Sequence, residues 1–228
     1  MEVIKEYKSV LDTNNSMIKI FFRMFLGLLA TAISAFYTYK SGLYITIATG
    51  MSYGILAIIE IAVVLIFSLL FRKLSPTLVT ILFYTYSFIN GVTLSTIFAV
   101  FEMTTIFYAF LTTAVLFGGL ALYGYTTKRD ITKASTIFTT ALIIGLIVSL
   151  INLFIGNTII NIILDWVMLF VFAGLTVYDM NKIKAMEQYV EYDTEKFYIY
   201  GAMELYLDFI NIFLRILRKK HLINSGLK

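Results

Sequence analysis

Long apolar segments separated by short charged breaks dominate this chain. A helix needs about 20 mostly apolar residues to cross the ~30 Å hydrocarbon core of a bilayer. Segments of about this length lie at 17–39, 45–71, 77–100, 104–125, 134–156, 160–183 and 197–217. The pattern predicts an all-α membrane protein, with residues 1–228 forming one transmembrane domain of seven spanning helices. The longest break, 184–196, is charged and is predicted to be partly helical.

Composition supports a membrane protein and excludes several other classes. The chain is 60% hydrophobic and 14% charged, whereas soluble domains average about 45–50% apolar and about 25% charged residues. The absence of cysteine excludes disulfides, thiolate metal sites and thiol nucleophiles. The net charge of +4 does not indicate nucleic acid as a partner, because the basic residues fall between the apolar segments. The N-terminus lacks a cleavage signal, so we expect the first segment to remain as a span.

The positions of Lys and Arg predict an orientation. With a cytoplasmic N-terminus, the outer connections contain only Lys40, and the inner ones contain Lys5, Lys8, Lys19, Arg23, Arg72, Lys73, Lys128, Arg129, Lys133, Lys182, Lys184 and Lys196. This bias follows the positive-inside rule. The basic tail from Arg215 to Lys228 disagrees with an odd number of spans. Either the earlier helices determine the orientation and the tail lies outside despite its charge, or the last segment is re-entrant and returns the tail to the inside. The sequence leaves both possibilities open.

Two aspartates, Asp179 and Asp208, lie in the last two apolar segments. An acidic residue at membrane depth costs roughly 2.5–3.5 kcal/mol on insertion scales, and such residues commonly mark ion or proton pathways. Asp208 belongs to a stripe spaced by four, three and four residues: Glu204, Asp208, Asn211 and Arg215. These positions share one face of a helix. A polar face avoids lipid, so the last helix is predicted to be central.

The depths of the two aspartates decide whether they can meet. Asp179 lies roughly 7–8 Å into its helix from Lys184, and Asp208 roughly 18 Å into its own from Lys196, at 1.5 Å per residue. They come level only if a helix extends into the charged segment 184–196. If they meet, they share a proton, and the deprotonated pair attracts a divalent cation. Ca²⁺ prefers carboxylate, carbonyl and water oxygens, so both residues are predicted metal ligands in a pH-gated cation path.

Simpler interpretations exist for several of these residues. Asp208 could be a structural acid paired with Arg215. Asp165 lies near the predicted start of a helix, where an acid stabilises the dipole, and is interpreted as structural. Glu60 stands alone in an apolar segment, and a structural and a functional role remain open. The glycine pair 118–119 is interpreted as a helix-packing contact, because no phosphate-loop pattern occurs.

The same segments resemble the Bax inhibitor-1 family. VYDMNKIK at 177–184 and ELYLDFINIFLRIL at 204–217 are similar to its closing motifs, YTYSFINGVTLSTIF at 84–98 to its third helix, and IEIAVVLIFSLLFRK to its second. The resemblance implies a seven-helix bundle with the last helix at its centre. It places the aspartate pair of bacterial members on Asp179 and Asp208.

The resemblance also assigns roles outside the pair. The acidic residue of the family's second helix corresponds to Glu60. Where relatives carry a latch arginine, this chain has Phe71, with Arg72 beside it. Glu204 is acidic where some relatives have serine, which adds a charge near the site. Arg72, together with Arg215 and Asn211 of the polar stripe, is an expected latch or gating partner.

The implied function is a pH-sensitive calcium leak channel or a slow Ca²⁺/H⁺ transporter in a bacterial inner membrane. We expect no resident cofactor and no enzymatic activity; the expected partners are the lipid bilayer, Ca²⁺ and protons, and protein partners are unknown. A non-transporting regulator that binds other membrane proteins is the alternative. An intramembrane aspartyl protease is disfavoured, because Leu-Tyr-Leu precedes Asp208 where such proteases carry GxGD.

Overall fold

The computed structural model describes residues 2–49, 52–71, 73–129, 131–187 and 194–224. Within these ranges the regular elements are α-helices: α1 (Glu2–Lys40), α2 (Leu43–Thr49), α3 (Ser52–Leu70), α4 (Pro76–Leu94), α5 (Ile97–Val100), α6 (Met103–Thr126), α7 (Thr132–Ile155), α8 (Thr158–Glu187) and α9 (Thr194–Asn224). The predicted all-α class is confirmed.

Long apolar helices recur along the chain as the hydrophobic pattern predicted. In the described ranges, six are long and apolar enough to cross a membrane: Ser16–Lys40, Pro76–Val100, Met103–Thr126, Ala134–Asn152, Thr158–Glu187 and Glu195–Lys219. Their bounds agree within a few residues with six of the seven predicted spans. The chain is therefore a multi-pass membrane protein. The sixth predicted helix runs on to Glu187 and the seventh begins at Thr194, so the charged connection is partly helical.

The second predicted span is not one continuous helix. The segment 45–71 is divided between α2 and α3, which are bent by 84° relative to one another. The sequence GMSYG at 50–54 accompanies the break, and glycine in a helix interior weakens it. Apolar length alone therefore predicted the wrong element here. Counting this bent pair as one span raises the number of candidate spans in the described ranges to seven.

The chain forms two compact units. Unit 1 comprises Met1–Glu102 with Glu187–Tyr206, and unit 2 comprises Met103–Met186 with Leu207–Lys228. Helix α9 thus gives its first part to unit 1 and the remainder to unit 2. It is also the most enclosed candidate span: 72% of its apolar window is buried, against 11–39% for the other five. This burial agrees with the prediction that the last helix avoids lipid.

In unit 1, α1 and α4 approach closely at small residues. A side chain at Gly91 would collide with Ser34 and with the backbone of Thr31. The hydroxyl of Thr31 donates to the carbonyl of Ser87 (2.8 Å), and that of Ser34 donates to the carbonyl of Phe88 (3.0 Å). Small residues and interhelical hydroxyl bonds are typical of helix packing in membranes.

In unit 2, α8 also packs against α6 and α7 by close approach at glycines. A side chain at Gly124 of α6 would collide with the backbone of Val177, and one at Gly145 of α7 with Met168. The glycine pair 118–119 does not serve this purpose. A Cβ atom at either position would meet nothing within 4 Å, so the interpretation of this pair as a packing contact is wrong.

We expect Gly91→Ala to destabilise the protein, because the added methyl group must push α1 away from α4. Overpacking of this kind costs about 1–3 kcal/mol. Gly118→Ala is the matched control: it also adds one methyl group to a helix, but into open space, and should be neutral or stabilising by up to about 1 kcal/mol. Thermal unfolding in detergent measures both. Equal effects of the two substitutions would contradict the close approach at Gly91.

Candidate functional site

Three aspartates are the buried charged residues of the part of the chain that the structure describes: Asp165, Asp179 and Asp208, exposed by 4%, 7% and 4%. All three belong to unit 2. Asp165 and Asp179 lie on α8, and Asp208 lies on α9. Burying a charge is costly unless it is paired, protonated or bound to a cation. The sequence therefore concentrates its buried acidity in one unit.

The Asp179 segment of α8 is anchored to the end of α6. Asn181 Nδ2 donates to the carbonyls of Gly124 (3.3 Å) and Thr127 (3.4 Å). Lys184 Nζ donates to the carbonyl of Tyr125 (2.6 Å) and lies 4.8 Å from the centre of its ring. The last carbonyls of a helix lack intrahelical partners, and a cation there is favoured by the dipole. These bonds hold Asp179 at a defined position against α6.

Asp208 is the second residue of the part of α9 that belongs to unit 2. The adjacent Phe209 packs against Phe110 and Phe117 of α6, with ring centroids 5.4 and 5.5 Å apart. Asn211, one turn further along, donates from Nδ2 to the carbonyl of Leu207 (2.8 Å). That bond remains within α9. The gating role of Asn211 stays a prediction.

Arg215 forms an ion pair with Asp165. Its Nη1 donates to Asp165 Oδ1 at 2.5 Å, and Arg218 Nη1 lies 3.3 Å from the same oxygen. The interpretation that Asp165 is stabilised by the dipole at the start of a helix is wrong. Helix α8 begins at Thr158, so Asp165 lies about two turns inside it. A pair of arginines from α9, rather than the dipole of α8, balances its charge.

The ion pair sets a register between α8 and α9. Six residues, 188–193, link the two helices, so helices in contact at Asp165 and Arg215 must run antiparallel. Both remaining aspartates then lie on the same side of the ion pair. Along the helix axes, Asp179 is about 21 Å from Asp165 and Asp208 about 10 Å from Arg215, at 1.5 Å per residue. The difference in depth is thus about 10 Å before the reach of the arginine side chain is counted.

The other predicted acids belong to unit 1. Glu60 on α3 and Glu204 on α9 are both half-buried. Glu60 accepts a hydrogen bond from the hydroxyl of Thr93 on α4 (2.6 Å), which satisfies part of its polarity. The expected latch residue Arg72 lies outside the described residues.

Sequence reasoning missed a hydrogen-bond centre at Tyr206. The residue is fully buried in unit 1. Its hydroxyl pairs with the hydroxyl of Thr31 (2.6 Å) and accepts from Asn90 Nδ2 (3.1 Å). It went unnoticed because tyrosines in a membrane protein are usually interfacial. The available signal was Asn90, a polar residue within an apolar segment that needs a partner.

A polar pocket was also missed. A cavity of about 370 Å³ lies within unit 2, where α7 ends and α8 begins; its polar lining includes Ser149, Asn152, Asn161, Asp165, Arg215 and Arg218. Arg215 was visible in the sequence as the last residue of the stripe that contains Asp208. Its partner on α8 was not.

The described residues contain no group of three or more His, Cys, Asp or Glu side chains arranged to hold a metal ion. Ca²⁺ takes six to eight oxygen ligands. A calcium ion held by two aspartates would therefore need backbone carbonyls and water for most of its coordination shell.

Comparison with known proteins gives one family. The family model described as "Inhibitor of apoptosis-promoting Bax1" matches residues 13–224. The chain is similar to the inner membrane protein YbhL of Escherichia coli K12, with 39% identity over 208 residues and 89% of each chain covered. It is also similar to an uncharacterized protein of Borreliella burgdorferi, with 34% identity over 96% of each chain.

A third relative, the uncharacterized protein RP147 of Rickettsia prowazekii, is 32% identical over 205 residues. The family match takes in nearly the whole chain and includes the helices that carry Asp165, Asp179 and Asp208. Membrane-spanning composition, helical fold and similarity of sequence therefore agree. This chain belongs to the Bax inhibitor-1 family.

Proposed function

We propose that this protein is a pH-sensitive calcium leak channel, or a slow Ca²⁺/H⁺ transporter, of a bacterial inner membrane. The observation that carries the proposal is the burial of Asp179 and Asp208 on two membrane helices of one unit. A carboxylate at such depth is stabilised by a proton or by a cation. The inner membrane location is supported by the similarity to YbhL.

In the proposed mechanism, Asp179 and Asp208 share a proton, directly or through water, in the closed state. Loss of that proton leaves two negative charges that repel each other and attract a divalent cation. A hydrated Ca²⁺ between the two carboxylates balances both charges. The ion then exchanges part of its water for carboxylate oxygens as it passes.

The half-buried acids Glu60 and Glu204 are proposed as secondary negative charges along the cation path. Arg215 Nη1 donates to Asp165, and a movement of Arg215 toward the gate would require this ion pair to open. The Asp165–Arg215 ion pair is proposed to have a role separate from that of the proton-sharing pair.

The leak is testable with purified protein in liposomes that contain a Ca²⁺-sensitive dye. We expect Ca²⁺ flux to rise with pH in the wild type. Asp208→Asn and Asp179→Asn mimic the protonated state, so each should hold flux at high pH near the low-pH level. Coupling between a site and a conformation is commonly worth about 1–3 kcal/mol, which corresponds to about a 5- to 150-fold loss of flux.

Glu102→Gln is the matched control, because Glu102 is an exposed acid between α5 and α6; its pH profile should equal that of the wild type. Thermal unfolding of every variant shows whether loss of flux reflects loss of folding. A folded wild-type protein without flux at any pH would reject the leak and favour the alternative of a non-transporting regulator.

The cytoplasmic N-terminus proposed from the Lys and Arg bias can be tested by thiol labelling, because the chain has no cysteine of its own. A membrane-impermeant maleimide should label Ser41→Cys, in the exposed turn after α1, in spheroplasts with an intact inner membrane. Ser9→Cys should be labelled only after permeabilisation. The reverse pattern would invert the topology, and labelling of Ser225→Cys from outside would exclude a re-entrant last segment.

A further inference from the structure

The side chains that line the pocket at the junction of α7 and α8 carry more positive than negative charge. Arg215 and Arg218 both direct a guanidinium nitrogen at a single oxygen of Asp165, at 2.5 and 3.3 Å. Two cations thus share one carboxylate, which leaves the side chains lining the cavity with a net charge of +1. A cluster with excess positive charge attracts an anion.

Hydrogen-bond donors around the cavity are also in excess. Each guanidinium has five N–H donors. The side chain of Arg215 is only 12% exposed. Its Nε is buried and has no hydrogen-bond partner among the described residues. The side chain of Asn161 accepts a bond from Asn152 through Oδ1 (2.8 Å), which leaves its Nδ2 as a donor. A ligand rich in acceptor oxygens would meet this surplus.

The backbone around the pocket is already satisfied. Asn157 Oδ1 accepts from the amides of Ile159 and Ile160 in the first turn of α8 (2.9 and 3.2 Å). Asn152 Nδ2 donates to the carbonyl of Asn157 (3.0 Å), and Asn152 Oδ1 accepts from the backbone amide of Asn157 (3.1 Å). The turn is therefore rigidly fixed without a ligand. Any bound group must be held by side chains, chiefly the two arginines.

We propose that this pocket binds a phosphate oxyanion. Guanidinium groups match phosphate geometry and can each donate two parallel hydrogen bonds. A cavity of about 370 Å³ accommodates a phosphate group together with an attached alcohol. The net charge of +1 complements a singly charged phosphate, as found in free dihydrogen phosphate and in a phosphodiester lipid headgroup. The proposal is independent of Ca²⁺ flux and of the Asp179–Asp208 pair.

Ligand-dependent thermal stability of the purified protein tests the site. Inorganic phosphate should raise the Tm of the wild type in detergent more than sodium chloride of equal ionic strength does. In Arg218→Gln, the half-saturating phosphate concentration should rise about ten- to a hundredfold, the usual loss for a hydrogen bond to a charged group. Arg129→Gln, which removes an exposed arginine of unit 2 outside the pocket, should bind as the wild type does.

Asp165→Asn gives a prediction of opposite sign. It removes the carboxylate that competes with the ligand, so phosphate should bind more tightly and should restore part of the stability lost with the ion pair. A purely structural ion-pair cluster would lose stability in this variant without any response to phosphate. If the protein with Asp165→Asn fails to fold, Arg218→Gln and its control still decide the result.

Nanodiscs separate the two sources of phosphate. A higher Tm in nanodiscs of a phosphate-free glycolipid that contain phosphatidylglycerol than in nanodiscs of the glycolipid alone, lost in Arg218→Gln, would support a lipid headgroup. A response to free phosphate alone would support a soluble ligand. If neither inorganic phosphate nor phosphatidylglycerol raises the Tm beyond its matched control, or if Arg129→Gln loses the response equally, the proposal is wrong.

Discussion

A carboxylate removed from water must be paired, protonated or bound to a cation, and unit 2 is organised around this requirement. Its three buried aspartates lie on two neighbouring helices. Asp165 meets the requirement with two arginines of α9. For Asp179 and Asp208, the proposed mechanism supplies a shared proton or a passing Ca²⁺. One chemical rule thus accounts for a fixed ion pair toward one end of the helices and, in the proposed mechanism, for a titratable pair further along.

Apolar length predicted most of the fold because spanning a bilayer is chiefly a matter of length and composition. Where the prediction failed, local backbone chemistry decided the outcome. The segment 45–71 is long and largely apolar, yet it forms two helices, and the sequence GMSYG at 50–54 runs from the connection into the first turn of α3. Likewise, the glycine pair 118–119 resembles a packing site in sequence, whereas the glycines at which helices approach closely include Gly91 and Gly124.

The candidate site was predictable to the extent that it depends on one helix at a time. Periodicity placed Asp208 and Arg215 on a common face of α9, and the enclosure of α9 agrees with that. Partners on another helix depend on register, which no single segment encodes. Asp165 was therefore assigned to the dipole of α8 instead of to Arg215, and the hydroxyl of Tyr206 was not recognised as the partner of Asn90.

The position of the only tryptophan in the chain has a practical consequence. Trp166 follows Asp165 directly, stacks on Phe170, and has the ammonium group of Lys219 3.0 Å from its ring centre. Indole emission responds to nearby charge, so any rearrangement of the Asp165–Arg215–Arg218 cluster alters the fluorescence of this one residue. The protein thus contains an intrinsic optical reporter at the α7–α8 junction, without labelling and without background from other tryptophans.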